Sequence, residues 1–256
     1  MWKIIARYSH RMMTSPKTEL ACLLEGTRHQ IRRPAATLGI AALGMLLAAL
    51  SPLLQLHAGL PDDAAVDAVL TFVGLLPLEL YFIPRFLICT DAQRGQNPHN
   101  PPGGWRQRFE ERWLRAFGGK AVLALAVGIG LSLAIIPGIL VLAAFGWMPL
   151  RILLQGESLV QAAKGSYRMM LRAWQRVLLP VCAMGGIYLA LIFLLSSLVQ
   201  LVVPDPTPQV RLTHPAIWLG NFLGSLLNLW LSTCLLALYH RVEGAPSLQN
   251  TLPRAG

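Results

Sequence analysis

The chain has 256 residues, of which 54% are hydrophobic and 13% are charged. Soluble domains carry about 25% charged residues, so this composition argues against a single soluble core and favours a membrane protein. The net charge of +10 does not indicate nucleic acid as a partner, because the charges follow the pattern of membrane topology. Of the 22 Lys and Arg residues, all but Arg211 are assigned to the cytoplasmic side.

The first 34 residues are predicted to form a basic cytoplasmic segment, in which residues 18–33 make an amphipathic helix that ends at Pro34. The positive charges near the start are not followed by a sustained apolar core, so we expect no signal peptide. Span 1 is predicted at about 35–57 and span 2 at about 67–90, joined by an outer turn.

Aromatic residues recur every four positions in the segment that follows span 2, at Trp105, Phe109, Trp113 and Phe117. Arg and Glu fill the other faces. This pattern is typical of an interfacial helix whose aromatic side chains lie among lipid headgroups. A helix packed on protein has the same pattern and stays an alternative.

The stretch Ala121–Leu150 has 30 residues without a charge and is broken at Pro137 and Gly138. As one helix it would be about 45 Å long, whereas the hydrocarbon layer is about 30 Å thick. Basic segments flank it on both sides, and both stay cytoplasmic only if the chain turns back. The sequence therefore predicts a hairpin that turns at Pro137 and Gly138, with span 3 at about 119–136 and span 4 at about 139–154. Full crossing and a re-entrant geometry both stay open.

A second amphipathic helix is predicted at 157–174, with a capping box formed by Ser158 and Gln161. Its basic residues Lys164, Arg168 and Arg172 are expected to contact anionic lipid headgroups. The aromatic residues of the preceding interfacial helix are expected to contact lipid headgroups as well. Span 5 follows at about 177–203 and span 6 at about 215–239. The fold class is thus all-α, with six transmembrane helices in three hairpins over residues 35–240, and with a short cytoplasmic tail at 241–256.

Glu79 lies near the middle of span 2, where a carboxylate costs several kcal/mol unless it is paired, protonated or hydrated. Pro77 and Pro84 flank it and leave backbone carbonyls without their usual donors. Arg85 is the nearest cation, but it lies about 120° away around an ideal helix. Two interpretations stay open: a structural carboxylate that bonds neighbouring helices, and an ion or proton site of a transporter.

Span 6 offers polar partners for Glu79 on one face. Four polar residues follow one another at spacings of four, three and four, beside a GxxxG pair that allows close helix packing; they are Asn221, Ser225, Asn228 and Ser232. Packing between helices and the lining of a polar path are both compatible with this stripe.

The segment PLRILLQGES and the helix LVQAAKGSYRMMLRAWQRVLL, together with Pro137 and Gly138, resemble the YciC-like family of bacterial inner-membrane proteins. The same pattern is similar to the membrane domain fused to some glycerophosphodiester phosphodiesterases. The resemblance covers about 119–190 and implies six spans and residence in the inner membrane. It implies no established activity, and the order QGES departs from the more usual acidic-then-glycine order at Glu157. The basic segments predict that both termini lie in the cytoplasm.

Catalytic and metal-binding motifs are absent from the sequence, including HExxH, GxSxG and the P-loop. The four cysteines form no CxxC pair, so we expect no disulfide frame and no metal site. We therefore expect a non-enzymatic protein without a cofactor, in a scaffolding or accessory role in the envelope. The alternatives are a small transporter or lipid translocator that uses Glu79, and an accessory subunit of a lipid-active enzyme. The bilayer is the expected partner, and a membrane-protein partner stays open.

Overall fold

The computed structural model describes residues 17–61, 63–94, 104–133, 141–142, 144–204 and 206–243. The regular elements in these ranges are helices and none is a strand, so the all-α prediction is confirmed for the described residues. The α-helices are α1 (Lys17–Ile31), α2 (Pro34–Ala48), α3 (Leu50–Ala58), α4 (Ala64–Pro77), α5 (Ile83–Arg94), α6 (Trp105–Leu133), α7 (Met148–Gln155), α8 (Leu159–Val202), α9 (Pro208–Thr213) and α10 (Pro215–Glu243).

Four helical stretches are long and apolar enough to cross a membrane, and they match predicted spans 1, 2, 5 and 6. They are Pro34–Ala58, Val69–Gln93, Pro180–Val202 and Pro215–Glu243. Several apolar helices of this length are what a membrane protein requires. The predicted turn at Pro137 and Gly138 lies outside the described residues. The hairpin of spans 3 and 4, and with it the total of six spans, therefore stays a prediction.

Span 1 is divided at Ala49, where α2 ends and α3 begins. The N–H of Ala49 donates to the carbonyl of Leu46, three residues earlier. Pro52 has no N–H to donate to the carbonyl of Ala48, so the regular α-helical ladder is interrupted at this point.

Span 2 contains a π-helical segment, Leu78–Phe82, which joins α4 to α5. The N–H of Ile83 donates to the carbonyl of Leu78, five residues earlier. Pro77 and Pro84 bracket this segment, and each removes one backbone donor. Single π turns inside α-helices occur often at functional sites, and Glu79 lies on this one.

Two helices are longer than the sequence predicted, because each joins an amphipathic segment to the following apolar segment. Helix α6 runs through the predicted boundary near residue 118, and α8 runs through the one near residue 175. Two glycines in α6, Gly118 and Gly119, lower helix propensity but remove no hydrogen bond, so the helix continues. With 44 residues, α8 is about 66 Å long, roughly twice the thickness of a hydrocarbon layer.

The described part of predicted span 4 is not one continuous helix. A turn at Gly146 and Trp147 precedes α7, which has eight residues and is therefore about 12 Å long. Ile152 and Leu154 of α7 are fully buried. This helix belongs to the packed core, since its side chains contact protein on α6 and α8.

Helix α10 is the centre of the packing and lies against α1, α2 and α8. Its buried residues include Leu229, Leu236 and Tyr239. The predicted N-terminal amphipathic helix is present as α1, and it crosses α10 closely. A side chain at Gly26 would meet the backbone of Cys234 at 2.9 Å, so only glycine permits this contact.

Candidate functional site

Three helical elements meet at the carboxylate of Glu79. Asn228 on α10 donates from its side-chain amide to one carboxylate oxygen, and Lys120 on α6 forms an ion pair with the other. The structure thus brings together Glu79 and Asn228, two of the residues that the sequence singled out. It adds Lys120, which directly precedes the uncharged stretch Ala121–Leu150.

The π-helical segment makes the Glu79 carbonyl available as a second acceptor. The N–H of Ile83 donates to Leu78, and Pro84 has no N–H to offer. The ammonium group of Lys120 lies 3.4 Å from the carbonyl oxygen of Glu79 and donates to it as well. Lys120 therefore binds both the side chain and the backbone of the same residue.

The pair of Glu79 and Lys120 is only partly covered by protein. The side chain of Glu79 is 28% exposed and that of Lys120 is 43% exposed. Lys120 nevertheless lies on the side of α6 that also carries the buried residues Phe109 and Ala116, because these positions are separated by whole helical turns. The carboxylate and the ammonium group are therefore accessible from one side, although they face neighbouring helices.

Arg85 is not the cation that pairs with Glu79. Its guanidinium donates to the hydroxyl of Tyr81 at 3.4 Å, and its carbon lies 5.7 Å from the centre of the Tyr81 ring. The Tyr81 hydroxyl in turn donates to the carboxylate of Glu110 on α6 at 3.3 Å. Arg85 therefore belongs to a separate polar contact between α5 and α6.

The aromatic face of α6 packs on protein, so the predicted lipid contact of Phe109 is wrong. Phe109 is 1% exposed, and its ring lies 5.1 Å from that of Tyr81. Trp113 lies 5.8 Å from the same ring, and Trp105 is also half-buried against the core. Periodic aromatics fit a protein groove as well as a membrane interface, and Tyr81 supplies that groove. The packing alternative holds at Phe109, whereas Phe117 of the same aromatic series is 38% exposed and its lipid contact stays a prediction.

The polar stripe of α10 makes three different kinds of contact. Only Asn228 reaches Glu79. Ser225 is buried against Gly44 of α2, where a methyl group would collide with it. The hydroxyl of Ser232 donates to the carbonyl of Asn228 at 3.0 Å, and the side chain of Asn221 has no hydrogen bond among the described residues. The stripe is therefore not a continuous polar lining.

Two further carboxylates lie on the same span as Glu79, twelve residues before it and twelve after it. Asp67 pairs with Arg211 of α9 at 2.6 Å and accepts a hydrogen bond from Ser51 at 2.6 Å. Asp91 is fully buried and lies 2.7 Å from the ring of His240 on α10. Twelve residues correspond to about 18 Å along a helix, so the three acids mark three levels of the bundle. Their equal spacing is visible in the sequence alone.

A second polar network lies at the end of the bundle that contains Glu243, which we call the Glu243 end. Arg151 of α7 donates to both oxygens of Glu157, at 2.7 and 2.9 Å, and to Glu243 at 3.0 Å. Gln155 donates to Glu243 at 2.8 Å. Bidentate pairs of this kind fix geometry. Arg151 therefore ties α7 to Glu157 of the segment QGES, just before α8, and to the end of α10.

The turn between α7 and α8 follows local helix-end chemistry. Gly156 has φ of +74°, a conformation that favours glycine. Arg112 donates to the carbonyls of Leu153 and Leu154 at 3.3 and 3.0 Å. Burial lowers the pKa of Arg112, and nearby Arg108 acts in the same direction. The predicted capping box is confirmed by reciprocal hydrogen bonds between Ser158 and Gln161.

The basic residues Lys164, Arg168 and Arg172 are exposed on α8, and their contact with lipid stays a prediction. Among the described residues, no group of three or more His, Cys, Asp or Glu side chains is placed to hold a metal ion. Comparisons with protein-family models, with curated proteins and with solved structures gave no match. The resemblance to the YciC-like family is therefore still an expectation.

Proposed function

We propose that the chain is a multi-pass protein of the bacterial inner membrane with a scaffolding or accessory role in the envelope and no catalytic activity of its own. One observation carries this proposal. The three acids of span 2 are each bound by a base from a different helix, namely Arg211 on α9, Lys120 on α6 and His240 on α10. Charges that are engaged in this way fix which helices are neighbours and at which level they meet.

The proposed topology has six spans, with both termini in the cytoplasm. The distribution of charge supports this orientation, because Arg151 and Arg241 lie near Glu243, whereas Arg211 lies beside Asp67 at the opposite end. The resemblance to YciC-like proteins supports the same arrangement. An accessory role beside a lipid-active enzyme would rest on that resemblance alone.

Replacement of Glu79 tests the scaffolding role. We expect Glu79→Gln to keep most of the thermal stability in detergent and to complement a deletion strain, because an amide retains hydrogen-bonding capacity. Glu79→Leu should be less stable by about 1 kcal/mol, since it leaves Lys120 and Asn228 without their shared partner. Glu110→Gln, at an exposed position on α6, is the matched control and should resemble the unmodified protein. A Glu79→Gln protein that is stable but behaves like a deletion would contradict the scaffolding role.

A small transporter or lipid translocator is the second candidate. The partial exposure of Glu79 and Lys120 favours it, since a transported ion must reach such a carboxylate, and so does the π-helical segment that carries Glu79. In proteoliposomes, this candidate predicts a proton or cation flux that Glu79→Gln abolishes and Glu110→Gln leaves unchanged. The scaffolding proposal predicts no flux that depends on Glu79.

A further inference from the structure

Two exposed helical faces carry the same order of apolar and basic side chains. In each helix, a cation lies four positions after an apolar residue. A second apolar residue lies three positions after that cation, and a second cation follows it directly. The residues are Leu24, Arg28, Ile31 and Arg32 on α1, and Val160, Lys164, Tyr167 and Arg168 on α8. Leu171 and Arg172 continue the order on α8. All ten are exposed, so in each helix an apolar stripe lies beside a basic stripe.

The basic stripe of α8 is not balanced by acids of the same helix. Lys164, Arg168 and Arg172 are four residues apart, and like charges at this spacing oppose helix formation by a few tenths of a kcal/mol per pair. Helix α8 contains no Asp or Glu in its 44 residues. The acid just before the helix, Glu157, is bound by Arg151. An external anion is therefore the natural partner of this stripe.

The α8 face lies beside the Glu243 end of α10, because Arg151 binds both Glu157, just before α8, and Glu243. Helix α1 begins near the same end, where Glu25 pairs with Arg241 at 3.4 Å. It then runs along α10 toward the middle of that helix, since Trp230 donates to Thr27 and Gln30 donates to the carbonyl of Leu226. The α8 stripe thus flanks the Glu243 end, whereas the α1 stripe lies farther from it.

We propose that the α8 face binds the anionic phospholipid headgroups of the leaflet at the Glu243 end. The cations contact phosphate, and the adjacent apolar side chains lie at the acyl boundary. The proposal rests on the membrane location proposed above and names the lipid that the bundle recognises.

The continuity of α8 favours lipid as the occupant of its stripe. Arg172 precedes Pro180 by eight residues, or about 12 Å, and Pro180 begins the apolar stretch that ends at Val202. Only 6% of that stretch is buried by protein, so α8 passes from the basic stripe directly into a segment that needs lipid around it. An arginine side chain within 12 Å of such a segment reaches the headgroup layer.

The test is a lipid titration of the purified full-length protein in detergent, with thermal stability as the measure. A ligand that binds only the folded state raises the melting temperature in proportion to its occupancy. We expect phosphatidylglycerol to stabilise the protein and phosphatidylcholine to have little effect. In Lys164→Gln/Arg168→Gln/Arg172→Gln, the phosphatidylglycerol concentration at half effect should rise about fivefold for each cation removed, as expected for basic residues near an anionic surface. Arg28→Gln/Arg32→Gln should shift the half-effect concentration less per cation, because the α1 stripe lies farther from the Glu243 end.

The matched control is Arg106→Gln/Arg115→Gln, which removes two exposed cations from α6, where Glu110 and Glu111 lie nearby. Its half-effect concentration should not change. Arg168→Lys/Arg172→Lys keeps the charge and should titrate like the unmodified protein, which separates lost binding from lost folding. Equal stabilisation by both lipids, an unchanged titration in the triple variant, or an equal shift in the control would overturn the proposal. Stabilisation by an acidic amphipathic peptide but not by phosphatidylglycerol would assign the stripes to a protein partner instead. None of these outcomes depends on whether Glu79 is structural, so the scaffolding role is tested separately.

Discussion

Helices α8 and α10 are both long and apolar, yet they lie in opposite environments. Only 6% of the apolar stretch of α8 is buried by protein, whereas 44% of that of α10 is buried. The helix that is more deeply buried by protein is the one whose polar side chains bind neighbouring helices. On α10, Asn228 binds Glu79, Thr233 binds the backbone of Gly26, and His240 binds Asp91. Among the described residues, no side chain between Pro180 and Val202 donates a hydrogen bond to another helix. Hydropathy predicts that a helix can cross a membrane, and its polar residues indicate whether protein will surround it.

The largest expected effect comes from removing the same side chain on each of these helices. Leu229 of α10 is 0% exposed and Leu198 of α8 is 53% exposed. We expect Leu229→Ala to lower the free energy of unfolding by about 2 to 5 kcal/mol, since it leaves a cavity in the packed core. Leu198→Ala should change it by no more than about 0.5 kcal/mol. Unfolding by denaturant in detergent measures both, and equal losses would show that α8 is also packed on protein.

Glycine replacements should give opposite signs on the two helices. In Gly26→Ala the new methyl group would meet the backbone of Cys234 on α10, so we expect a loss of about 1 to 3 kcal/mol. In Gly186→Ala, on α8, the new methyl group meets nothing within 4 Å, and we expect a gain of about 0.5 to 1 kcal/mol from higher helix propensity. Melting temperatures of the two variants give the signs. A destabilising Gly186→Ala would reveal a close neighbour of α8.

Gln55 of α3 is an exception to the relation between polar residues and partners. It is 3% exposed, and neither atom of its amide has a hydrogen bond among the described residues. Because an unsatisfied buried polar group is costly, we expect Gln55→Leu to stabilise the protein by about 1 kcal/mol or more. Ser51→Ala, one turn away, removes a hydrogen bond to Asp67 and should lower the melting temperature. A loss of stability in Gln55→Leu would mean that the amide is satisfied by water or another polar molecule.

The smallest effect is expected from the two asparagines of α10. Asn228→Leu removes the hydrogen bond to Glu79 and should cost about 0.6 kcal/mol, the average for hydrogen bonds between membrane helices. Asn221→Leu, seven residues earlier on the same helix, should be neutral or slightly stabilising, because its amide has no partner among the described residues. Comparison of the two melting curves isolates the contribution of the contact at Glu79.

The sequence predicted four apolar stretches that the structure shows, namely spans 1, 2, 5 and 6, because hydropathy over about 20 residues depends only on local composition. It also predicted a partner of Glu79 on span 6, since spacings of three and four place Asn228 on one polar face. The other partner could not be predicted from local pattern. Lys120 meets Glu79 because α5 and α6 run antiparallel, which brings a residue near the middle of α6 to the level of the π-helical segment. That register depends on packing between the two helices and not on either helix alone.

Two predictions from the amphipathic pattern were wrong, namely the lipid contact of Phe109 and the helix boundaries within α6 and α8. Both have the same physical origin. An amphipathic periodicity states which side of a helix is apolar, but not what covers it. In the segment from Trp105 to Phe117, the rings of Phe109 and Trp113 lie against Tyr81, whereas Phe117 is 38% exposed. For the same reason, the sequence did not predict that α6 and α8 are continuous. A change from an amphipathic to a uniformly apolar pattern indicates different surroundings, but a helix can continue through it.

The π-helical segment sets the angular relation between the two ends of span 2. A π turn contains about one residue more than an α turn, so converting Leu78–Phe82 to regular α-helix without deleting a residue would turn α5 by roughly 100° relative to α4. Asp67 would still point to Arg211, whereas Asp91 would turn away from His240. The extra residue in the π turn therefore sets the direction that α5 faces relative to α4. As a result, the three acids of span 2 contact three different neighbouring helices.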